Sequence, residues 1–443
     1  MYVDRNTKIA IIGGGIGGLG LLLSLQRIGF KNVHLFEKDF SFDSRRQGYG
    51  LTIQQASSAL RKLELSETAK RLDVISSSHF MFAKDGHILG CFGRVLKDIG
   101  STPKSYIPKQ NQKQAQKKFC LHLPRQVLRR IIYDAIPDKS KIYWNASLDK
   151  IKSDKLEIQG VEHEFNLLVG CDGIYSKVRQ LFDPSPLNYL GVVVVLGTLT
   201  MSSSSLCFER IWQTMDGSTR LFVMPFGNLI NESCEIMWQL SFPIAEESKA
   251  QHLANPQSKF ELKTLVLELC KNWHSPVEEM LQNTNWEKDV MATAVYDRDP
   301  LPHDKRICSH NITLVGDSLH PMSPFKGQGA NQALLDAISL SDQLNRCSAK
   351  EITLSKALEN YEREALSRSK SKVLDSRNRA VQFHSYEYVE PATDSKALRE
   401  KRGIPEDFMN ILSEAGIGAW DANRINQRVL EKQEEYISNK SIP

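Results

Sequence analysis

The sequence predicts an α/β fold in which a parallel sheet is combined with a mainly antiparallel β-sheet and with C-terminal helices. Three short apolar runs, at residues 8–12, 165–170 and 311–316, each end in a glycine-containing turn, as buried parallel strands do. Residues 187–242 instead contain longer β-branched and aromatic runs. From residue 346 onward the chain is charged and has helical spacing.

The composition is that of an ordinary globular protein. Of 443 residues, 41% are hydrophobic and 25% charged, and 57 basic residues nearly balance 52 acidic ones. This balance argues against a nucleic-acid partner, and no apolar run reads as a transmembrane span. The eight cysteines form no C-x-x-C pair and no cluster at metal spacing, so we expect reduced thiols in a cytoplasmic protein without a metal site.

The first predicted strand leads into a glycine-rich turn. Gly13, Gly15 and Gly18 fit the pattern G-x-G-x-x-G between that strand and an apolar helix. A second short strand then ends at Glu37, about 20 residues beyond the glycines. The glycines would allow a tight turn and close approach of a pyrophosphate, and Glu37 would accept hydrogen bonds from a ribose. We therefore predict a Rossmann-like dinucleotide site, which this motif alone does not assign to FAD or NAD.

Two later segments carry further candidate residues. The first, "FNLLVGCDGIYSKVRQLF" at 165–182, has an acidic residue and a glycine after a strand. The second, "NITLVGDSLHPMSPFKGQGANQALLDAISLSDQL" at 311–344, has a strand, a glycine-bearing loop and a long helix. The candidate cofactor-binding residues in these segments are Asp172, Gly173, Asp317, Pro324, Gly327, Gly329 and Asn331.

Taken together, the three motifs resemble those of the FAD-dependent aromatic hydroxylases. These are single-component flavoprotein monooxygenases related to para-hydroxybenzoate hydroxylase, and the resemblance covers residues 7–375. The layout is most similar to the tetracycline-inactivating monooxygenases, through "PFKGQGANQALLDAISLSDQL" and the strand pair "RLFVMPF…EIMWQLSF". Thr52 stands where those enzymes carry an aspartate near the flavin, which is a departure from their pattern.

The resemblance implies a role for several matching positions. Asp317 corresponds to the aspartate that holds the ribityl chain of FAD. Asp172 and Gly173 match a motif linked to both FAD and NADPH. Arg125 matches an arginine that reaches the flavin, and Arg45 matches one implicated in NADPH contact.

The residues themselves support some of these roles and leave alternatives. Asp317 directly follows a strand, at the edge where ligands bind in open sheets, although it could instead cap a helix. The helix from about residue 330 would direct its free N–H groups at the flavin, with Asn331 as a further contact or a plain helical residue. We interpret Asp336 as solvated or capping. Arg179 is open between a surface charge and a functional role.

The antiparallel region is predicted to cover the flavin. Asp216 and Gly217 form a hairpin signal between aromatic and apolar strands. Such a sheet supplies an apolar wall for a planar substrate, although each residue could equally serve sheet packing. The candidate pocket residues are Trp212, Phe222, Met224 and Trp238.

We predict a discontinuous arrangement of domains. Residues 1–75, 120–185 and 290–345 would form the FAD-binding domain. Residues 76–119 and 186–289 would form the substrate domain, and residues 346–443 a C-terminal helical region.

The resemblance implies a monooxygenase that uses NADPH or NADH, FAD and O2 to hydroxylate a planar aromatic or polycyclic compound through a flavin C4a-hydroperoxide. Because the cofactor carries this chemistry, we expect no catalytic Ser, His or Cys. The oligomer would be a monomer or a homodimer. One alternative is a flavin-dependent reductase, dehydrogenase or halogenase on the same scaffold. A second is a more specific monooxygenase, one that inactivates tetracycline. A third is a non-catalytic FAD-binding protein.

Overall fold

The computed structural model describes residues 1–44, 49–74, 76, 78–86, 88–93, 120–152, 154–202, 210–227, 233–301, 311–386 and 389. Arg45 lies outside these ranges, as do the Lys/Gln-rich segment at 104–118 and residues 390–443. Within the described ranges, no helix is both long and apolar enough to cross a membrane.

The described residues form both strands and helices, whose bounds are as follows. The strands are β1 (Ile9–Ile12), β2 (Val33–Phe36), β3 (Gly50–Ile53), β4 (Ser78–Ala83), β5 (Ile88–Gly93), β6 (Leu121–Pro124), β7 (Ile142–Tyr143), β8 (Leu148–Ile151), β9 (Lys155–Ile158), β10 (Val161–Glu164), β11 (Leu167–Gly170), β12 (Asn188–Ser202), β13 (Arg210–Met215), β14 (Arg220–Pro225), β15 (Ser233–Pro243), β16 (Val290–Asp297) and β17 (Ile312–Leu314). The helices are α1 (Ile16–Arg27), α2 (Ser57–Lys62), α3 (Ser66–Arg71), α4 (Arg125–Asp134), α5 (Glu247–Leu253), α6 (Lys259–Leu269), α7 (Val277–Asn283), α8 (Trp286–Asp289), α9 (Gly329–Ser348) and α10 (Leu354–Gln382).

The predicted parallel sheet has five strands in the order β17-β11-β1-β2-β7. Each neighbouring pair is parallel, and Ile9 of β1 lies opposite Leu167 on one side and Val33 on the other. The adjacent helix α1 is buried over most of its length, because Gly17 approaches Ala333 of α9 closely. The three chain segments with glycine turns therefore converge on one sheet, and the prediction of an α/β fold is confirmed.

The second large sheet has seven strands in the order β16-β12-β15-β14-β13-β4-β5. All its neighbouring pairs are antiparallel except β4 with β13, so the prediction of a mainly antiparallel sheet is confirmed. Strand β16 belongs to this sheet, whereas we predicted the FAD-binding domain to resume at residue 290. We propose instead that the boundary follows Asp297.

The two faces of the seven-stranded sheet pack against different partners. One face, which includes Trp212 and Trp238, is covered by helices α5 to α8. The opposite face carries Met224, and its core extends to Phe325 and to Phe383 after the end of α10. This second face adjoins the two-stranded β3–β6 ribbon, because Met224 lies against Gly50. The C-terminal helix is confirmed as far as α10, and it helps to join the two sheets.

Candidate active site

The glycine turn after β1 is fixed by close backbone packing. Gly13 has a φ of +107°, and a Cβ there would meet the carbonyl oxygen of Cys171 at 2.3 Å. A Cβ on Gly18 would lie 1.9 Å from the carbonyl oxygen of Gly13. By contrast, apart from its neighbours along the chain, none of the residues that the structure describes has an atom within 4 Å of the Cβ position of Gly15. Gly13 and Gly18 therefore shape the turn, and Gly15 borders open space that a phosphate could enter.

Glu37 at the end of β2 reaches back to this turn. Its side chain is buried, with Oε2 accepting a hydrogen bond from the Gly14 N–H at 2.5 Å and Oε1 accepting one from the Asp39 N–H at 3.0 Å. The carboxylate is thereby held beside the glycine turn. Glu37 can present its remaining acceptor positions to a ribose at the same place.

Arg129 is a site residue that the sequence reasoning missed. Its buried guanidinium donates to the carbonyl oxygens of Gly14 and Phe42, each at 2.9 Å, and lies 4.4 Å from the centroid of the Phe42 ring. Arg129 lies four residues after Arg125 on α4, so both occupy one helical face. That spacing in "LPRQVLRR" is the signal that could have revealed it.

A groove of about 210 Å³ opens over the glycine turn. It brings together six of the predicted residues, which come from four chain segments. These six are Gly13, Gly15, Glu37, Arg125, Asp172 and Gly173. Arg129, Cys171, Tyr175 and Lys177 also line it.

The loop after β11 is organised by Asp172. Its carboxylate accepts hydrogen bonds from Ser176 Oγ at 2.5 Å and from the Lys177 N–H at 2.8 Å. Burial raises the pKa of Asp172, and these hydrogen bonds act against that rise. Gly173 follows with a φ of +79° and lines the groove. Asp172 therefore stabilises the loop that presents Gly173.

Arg179 is not a surface charge; it begins a single 3₁₀ turn, Arg179–Leu181. It is 2% exposed and donates to the carbonyl oxygen of Leu319 at 2.7 Å, while pairing with Asp183 at 2.7 Å. A buried guanidinium requires such partners. Arg179 thus connects the Asp172 loop to the turn after β17.

That turn places Asp317 at the start of α9. Oδ1 of Asp317 is 3.5 Å from the Cβ position of Gly329, the first helical residue. Asp317 is an exposed residue; partial desolvation by the surrounding protein raises the pKa of its carboxyl group, while the charges of His320 and Arg125 act in the opposite direction. This combination is expected of a carboxylate at the floor of a cleft that a polar ligand fills.

The loop before α9 turns sharply at Gly327, where φ is +60°. Pro324 begins the short 3₁₀ turn that precedes it. Helix α9 begins at Gly329, so the first N–H groups of this helix have no acceptor within it.

The predicted side-chain contact of Asn331 with the cofactor is corrected by its hydrogen bonds. Oδ1 accepts from the N–H groups of Gln54 and Ala56, and Nδ2 donates to the carbonyl oxygens of Thr52 and Gly327, all between 2.9 and 3.1 Å. Because an amide offers two acceptor and two donor positions, this side chain is fully used. Asn331 clamps β3 and α2 to α9, so only its backbone remains a candidate for the cofactor.

Asp336 on α9 is buried, which corrects its interpretation as a solvated residue. Oδ2 lies 2.7 Å from His320 Nε2 and 2.8 Å from the Gly316 nitrogen, and Oδ1 lies 2.9 Å from an Arg368 nitrogen. Burial opposes ionisation, yet these partners hold the pKa of Asp336 below its ordinary value. The resulting polar network, formed by His320, Asp336 and Arg368, fixes the Gly316–Asp317 turn to α9 and α10.

A family model described as FAD binding domain matches residues 6–376. This match includes all three glycine-bearing segments and all seven strands of the larger sheet. The chain belongs to the FAD binding domain family. This family assignment confirms the predicted FAD cofactor and the resemblance to flavoprotein monooxygenases.

Known proteins agree with this assignment. The chain is 28% identical over 362 residues to the aurachin C monooxygenase/isomerase of Stigmatella aurantiaca, a match covering 80% of this chain and 84% of that one. Its fold matches that of Klebsiella pneumoniae HpxO, solved with FAD and uric acid, with a TM-score of 0.69, 16% identity and 97% of each chain covered. It also matches the tetracycline destructase Tet(55), with a TM-score of 0.66 and 17% identity, covering 93% of this chain and 97% of that one. The prediction of an FAD-dependent monooxygenase is confirmed.

The four residues predicted to line the substrate pocket of this FAD-binding protein lie on opposite faces of one sheet. Phe222 and Met224 lie on the face that adjoins β3. Trp212 and Trp238 are fully buried on the other face, where Trp238 Nε1 donates to Thr284 Oγ1 at 2.9 Å. Trp212 and Trp238 both lie opposite Val223 in the strand register, and side chains alternate along a strand, so Phe222 and Met224 on either side of Val223 occupy the other face. The prediction is corrected for the two tryptophans, which belong to the core under the helices.

Proposed function

We propose that this FAD-dependent monooxygenase uses NADPH or NADH and O2 to hydroxylate a planar aromatic or polycyclic small molecule. When bound, FAD supplies the hydride-accepting and oxygen-activating chemistry. The chain's residues bind and orient the cofactor, exclude water and position the substrate. The observation that supports this proposal most is the convergence of three glycine-bearing turns at one edge of the parallel sheet.

The adenosine and pyrophosphate part of FAD fits the groove over the glycine turn. The space beside Gly15 admits a phosphate, and the N-terminal end of α1 offers N–H groups and a positive dipole end. Glu37, held by the Gly14 N–H, accepts hydrogen bonds from the ribose hydroxyls. Arg129 supports the turn from behind through the Gly14 carbonyl oxygen.

The ribityl chain and the ring system are held at the start of α9. The Asp317 carboxylate accepts hydrogen bonds from ribityl hydroxyls, and Arg125 lines the groove nearby. Free N–H groups of α9, beginning at Gly329, stabilise negative charge on the pyrimidine side of the flavin. The turn through Pro324 and Gly327 fixes the direction of these groups.

The seven-stranded sheet positions the substrate. Phe222 and Met224 form part of an apolar face, together with Phe325 from the turn before α9. Aromatic and sulfur-containing side chains suit a planar ring, and they exclude water from the reacting atoms. We place the substrate between this face and the flavin.

The nicotinamide cofactor binds transiently in a groove near Gly173, as the matching family motif implies. No second G-x-G-x-x-G occurs in the sequence, which favours such a groove over a dedicated domain. We further propose a cytoplasmic monomer or homodimer. Among the residues that the structure describes, Cys120, Cys171, Cys234, Cys270 and Cys347 form no disulfide, as expected in a reducing compartment.

The test is a combined spectral and kinetic assay of the purified protein. Its flavin absorption is recorded, and the consumption of NADPH, NADH and O2 is followed with a panel of aromatic compounds that includes tetracycline. We expect bound FAD, substrate-stimulated oxidation of one nicotinamide, and a product carrying one oxygen atom from ¹⁸O2. Turnover without incorporation would indicate a reductase or dehydrogenase. A halogenated product would indicate a halogenase, and FAD binding without turnover a non-catalytic protein.

A further inference from the structure

An aromatic ring stands open to solvent at the edge of the groove over the glycine turn. Tyr175 is 66% exposed, although it is one of the residues that line this groove. It belongs to the loop that Asp172 stabilises, and it follows the groove residue Gly173 by two positions. A ring in this position can bury its free face when a planar ligand enters the groove.

The seven-stranded sheet supports the Tyr175 ring from one side. The ring meets that of Tyr296 on β16 in an edge-to-face contact, with centroids 6.4 Å apart and an interplanar angle of 68°. Tyr296 in turn contacts Tyr189 on β12, with ring centroids 5.5 Å apart. One such contact covers at most one face of the Tyr175 ring, and the large exposed fraction of this residue shows that the other face is open.

The supporting ring is itself held in place. The Tyr296 hydroxyl donates to Glu247 Oε1 and accepts from Gln251 Nε2, each at 2.9 Å, and both partners lie on α5. The pairing of β12 with β16 changes register after Tyr189, and Gly191 at this point has a φ of +72°. Such a bulge redirects the side chains beside it. The loop after β11 therefore rests on a fixed aromatic support in the seven-stranded sheet.

The Tyr175 side chain is uncharged at neutral pH. Partial burial and the nearby carboxylate of Glu247 raise the pKa of Tyr175, so its hydroxyl keeps its proton near pH 7. The face of a neutral phenol ring stacks on planar heteroaromatic rings, and it also attracts the positive charge of an oxidised nicotinamide ring. Both properties suit a nucleotide coenzyme.

We propose that the open face of Tyr175 stacks on a heteroaromatic ring of the nicotinamide coenzyme, either its nicotinamide or its adenine. Tyr296 is the positioning residue that holds the Tyr175 ring at the edge of the groove. This inference rests on the proposed function, because it names the side chain that the coenzyme meets near Gly173. Stacking of a base on an aromatic side chain is strong enough for its loss to be measured as a change in affinity.

The test measures coenzyme binding without turnover. Dissociation constants of NAD⁺ and NADP⁺, which cannot reduce oxidised flavin, are measured by calorimetry on the FAD-loaded protein. We expect Tyr175→Ala to weaken binding of the preferred nucleotide at least about 5-fold, and Tyr175→Phe to stay within about 2-fold of the wild type. An affinity of Tyr175→Ala within about 2-fold of the wild type, or no binding of either nucleotide to the wild type, overturns the proposal.

Further variants separate stacking from support of the groove. Tyr296→Leu removes the supporting ring and should weaken the same nucleotide at least about 3-fold, whereas Tyr296→Phe keeps the ring and should restore most of the affinity. Phe260→Ala, which removes an exposed ring on α6, is the matched control and should change nothing. The affinity for FAD should stay within about 2-fold in Tyr175→Ala. Equal losses of FAD and nucleotide affinity would show that Tyr175 only shapes the groove, and would overturn the proposal.

Fragments of the coenzyme identify the ring. A loss of affinity for nicotinamide mononucleotide in Tyr175→Ala assigns the stack to nicotinamide, and a loss for AMP assigns it to adenine.

Binding and turnover distinguish the two proposals. Oxygen incorporation by the wild type, with unchanged nucleotide affinity in Tyr175→Ala, leaves the proposed function intact and refutes the role of Tyr175. Loss of nucleotide affinity in Tyr175→Ala, without any oxygen incorporation by the wild type, supports the role of Tyr175 and refutes the proposed function.

Discussion

The two large sheets present their functional groups in different ways. Around the five-stranded parallel sheet, the groups proposed to hold FAD are largely backbone N–H groups and the space that Gly15 leaves open. In the seven-stranded sheet, the groups proposed to meet the substrate are side chains, such as those of Phe222 and Met224. A backbone-based site requires glycine at fixed positions, whereas a side-chain site depends on which face of a strand each residue occupies.

The largest expected effect tests the backbone-based site. Gly18→Ala places a Cβ 1.9 Å from the Gly13 carbonyl oxygen, so the turn must open or the helix must shift. We expect a loss of about 3 kcal/mol or more in the free energy of unfolding, together with loss of FAD binding. Thermal unfolding and FAD titration measure both quantities.

Gly15→Ala is the matched control for that variant. Apart from its chain neighbours, no described residue has an atom near its Cβ position. The free energy of unfolding of the apo variant should therefore lie within about 1 kcal/mol of the wild-type value. The new methyl group enters the proposed pyrophosphate space, so FAD should bind at least about 10-fold more weakly. Normal FAD affinity in Gly15→Ala would show that the pyrophosphate lies elsewhere.

The same contrast explains what the sequence could predict. The glycine turns and the parallel strands were predictable because each follows from local spacing. The pocket side chains were only partly predictable. Their positions on strands were predicted correctly, but Trp212 and Trp238 were assigned to the wrong face of the sheet. The sequence does not show which face the helices α5 to α8 cover. Their size favoured them as pocket residues, and the same size makes them suitable for a core.

Residues that act through distant partners were also beyond the sequence. Asp336 is paired with His320, sixteen positions away, and with Arg368, thirty-two positions away. Asn331 is hydrogen-bonded to Thr52, 279 positions earlier in the chain. Nothing in the local pattern distinguishes such a residue from an ordinary polar residue on a helix, because its partners are known only once the helices are packed.

The second prediction concerns the polar network of His320, Asp336 and Arg368, which supports the site at the parallel sheet. Asp336→Asn removes a buried charge that faces His320 and Arg368, and it should lower the free energy of unfolding by about 3–5 kcal/mol. Asp342→Asn, which breaks the exposed pair with Lys62, should cost no more than about 1 kcal/mol. Urea denaturation of both variants provides the comparison, and equal losses would contradict the assignment of Asp336 to a buried network.

The third prediction concerns the pH dependence of stability that arises in the β3–β6 ribbon between the two sheets. Burial lowers the pKa of His122 to about 4, and its Nδ1 lies 3.2 Å from Thr52 Oγ1. Since the unfolded chain binds a proton near pH 6.5 and the folded protein does not, stability should fall as the pH falls from about 6.5 to 4, by no more than about 3 kcal/mol.

His122→Asn should remove that part of the pH dependence. His252→Asn, which changes an exposed histidine beside Glu261, serves as its control and should leave the curve unchanged. Unfolding free energies measured between pH 4 and 7 provide the test. A wild-type slope that persists in His122→Asn would show that another group carries the pH dependence.

The smallest expected effects separate the two faces of the seven-stranded sheet. Trp238→Phe removes the hydrogen bond to Thr284 and leaves a cavity under the helices, so it should lower the free energy of unfolding by about 1–2 kcal/mol and leave KM for an aromatic substrate unchanged. Phe222→Leu changes a half-buried ring on the face near the flavin, so it should cost under about 1 kcal/mol and raise KM roughly 3–10-fold. Trp238 and Phe222 lie on neighbouring strands. A displacement of either strand would therefore change both the free energy of unfolding and KM in both variants. Opposite effects on stability and KM can arise only if one face of the sheet packs in the core and the other contacts the substrate. The reverse pattern would indicate that Trp238 lines the substrate pocket.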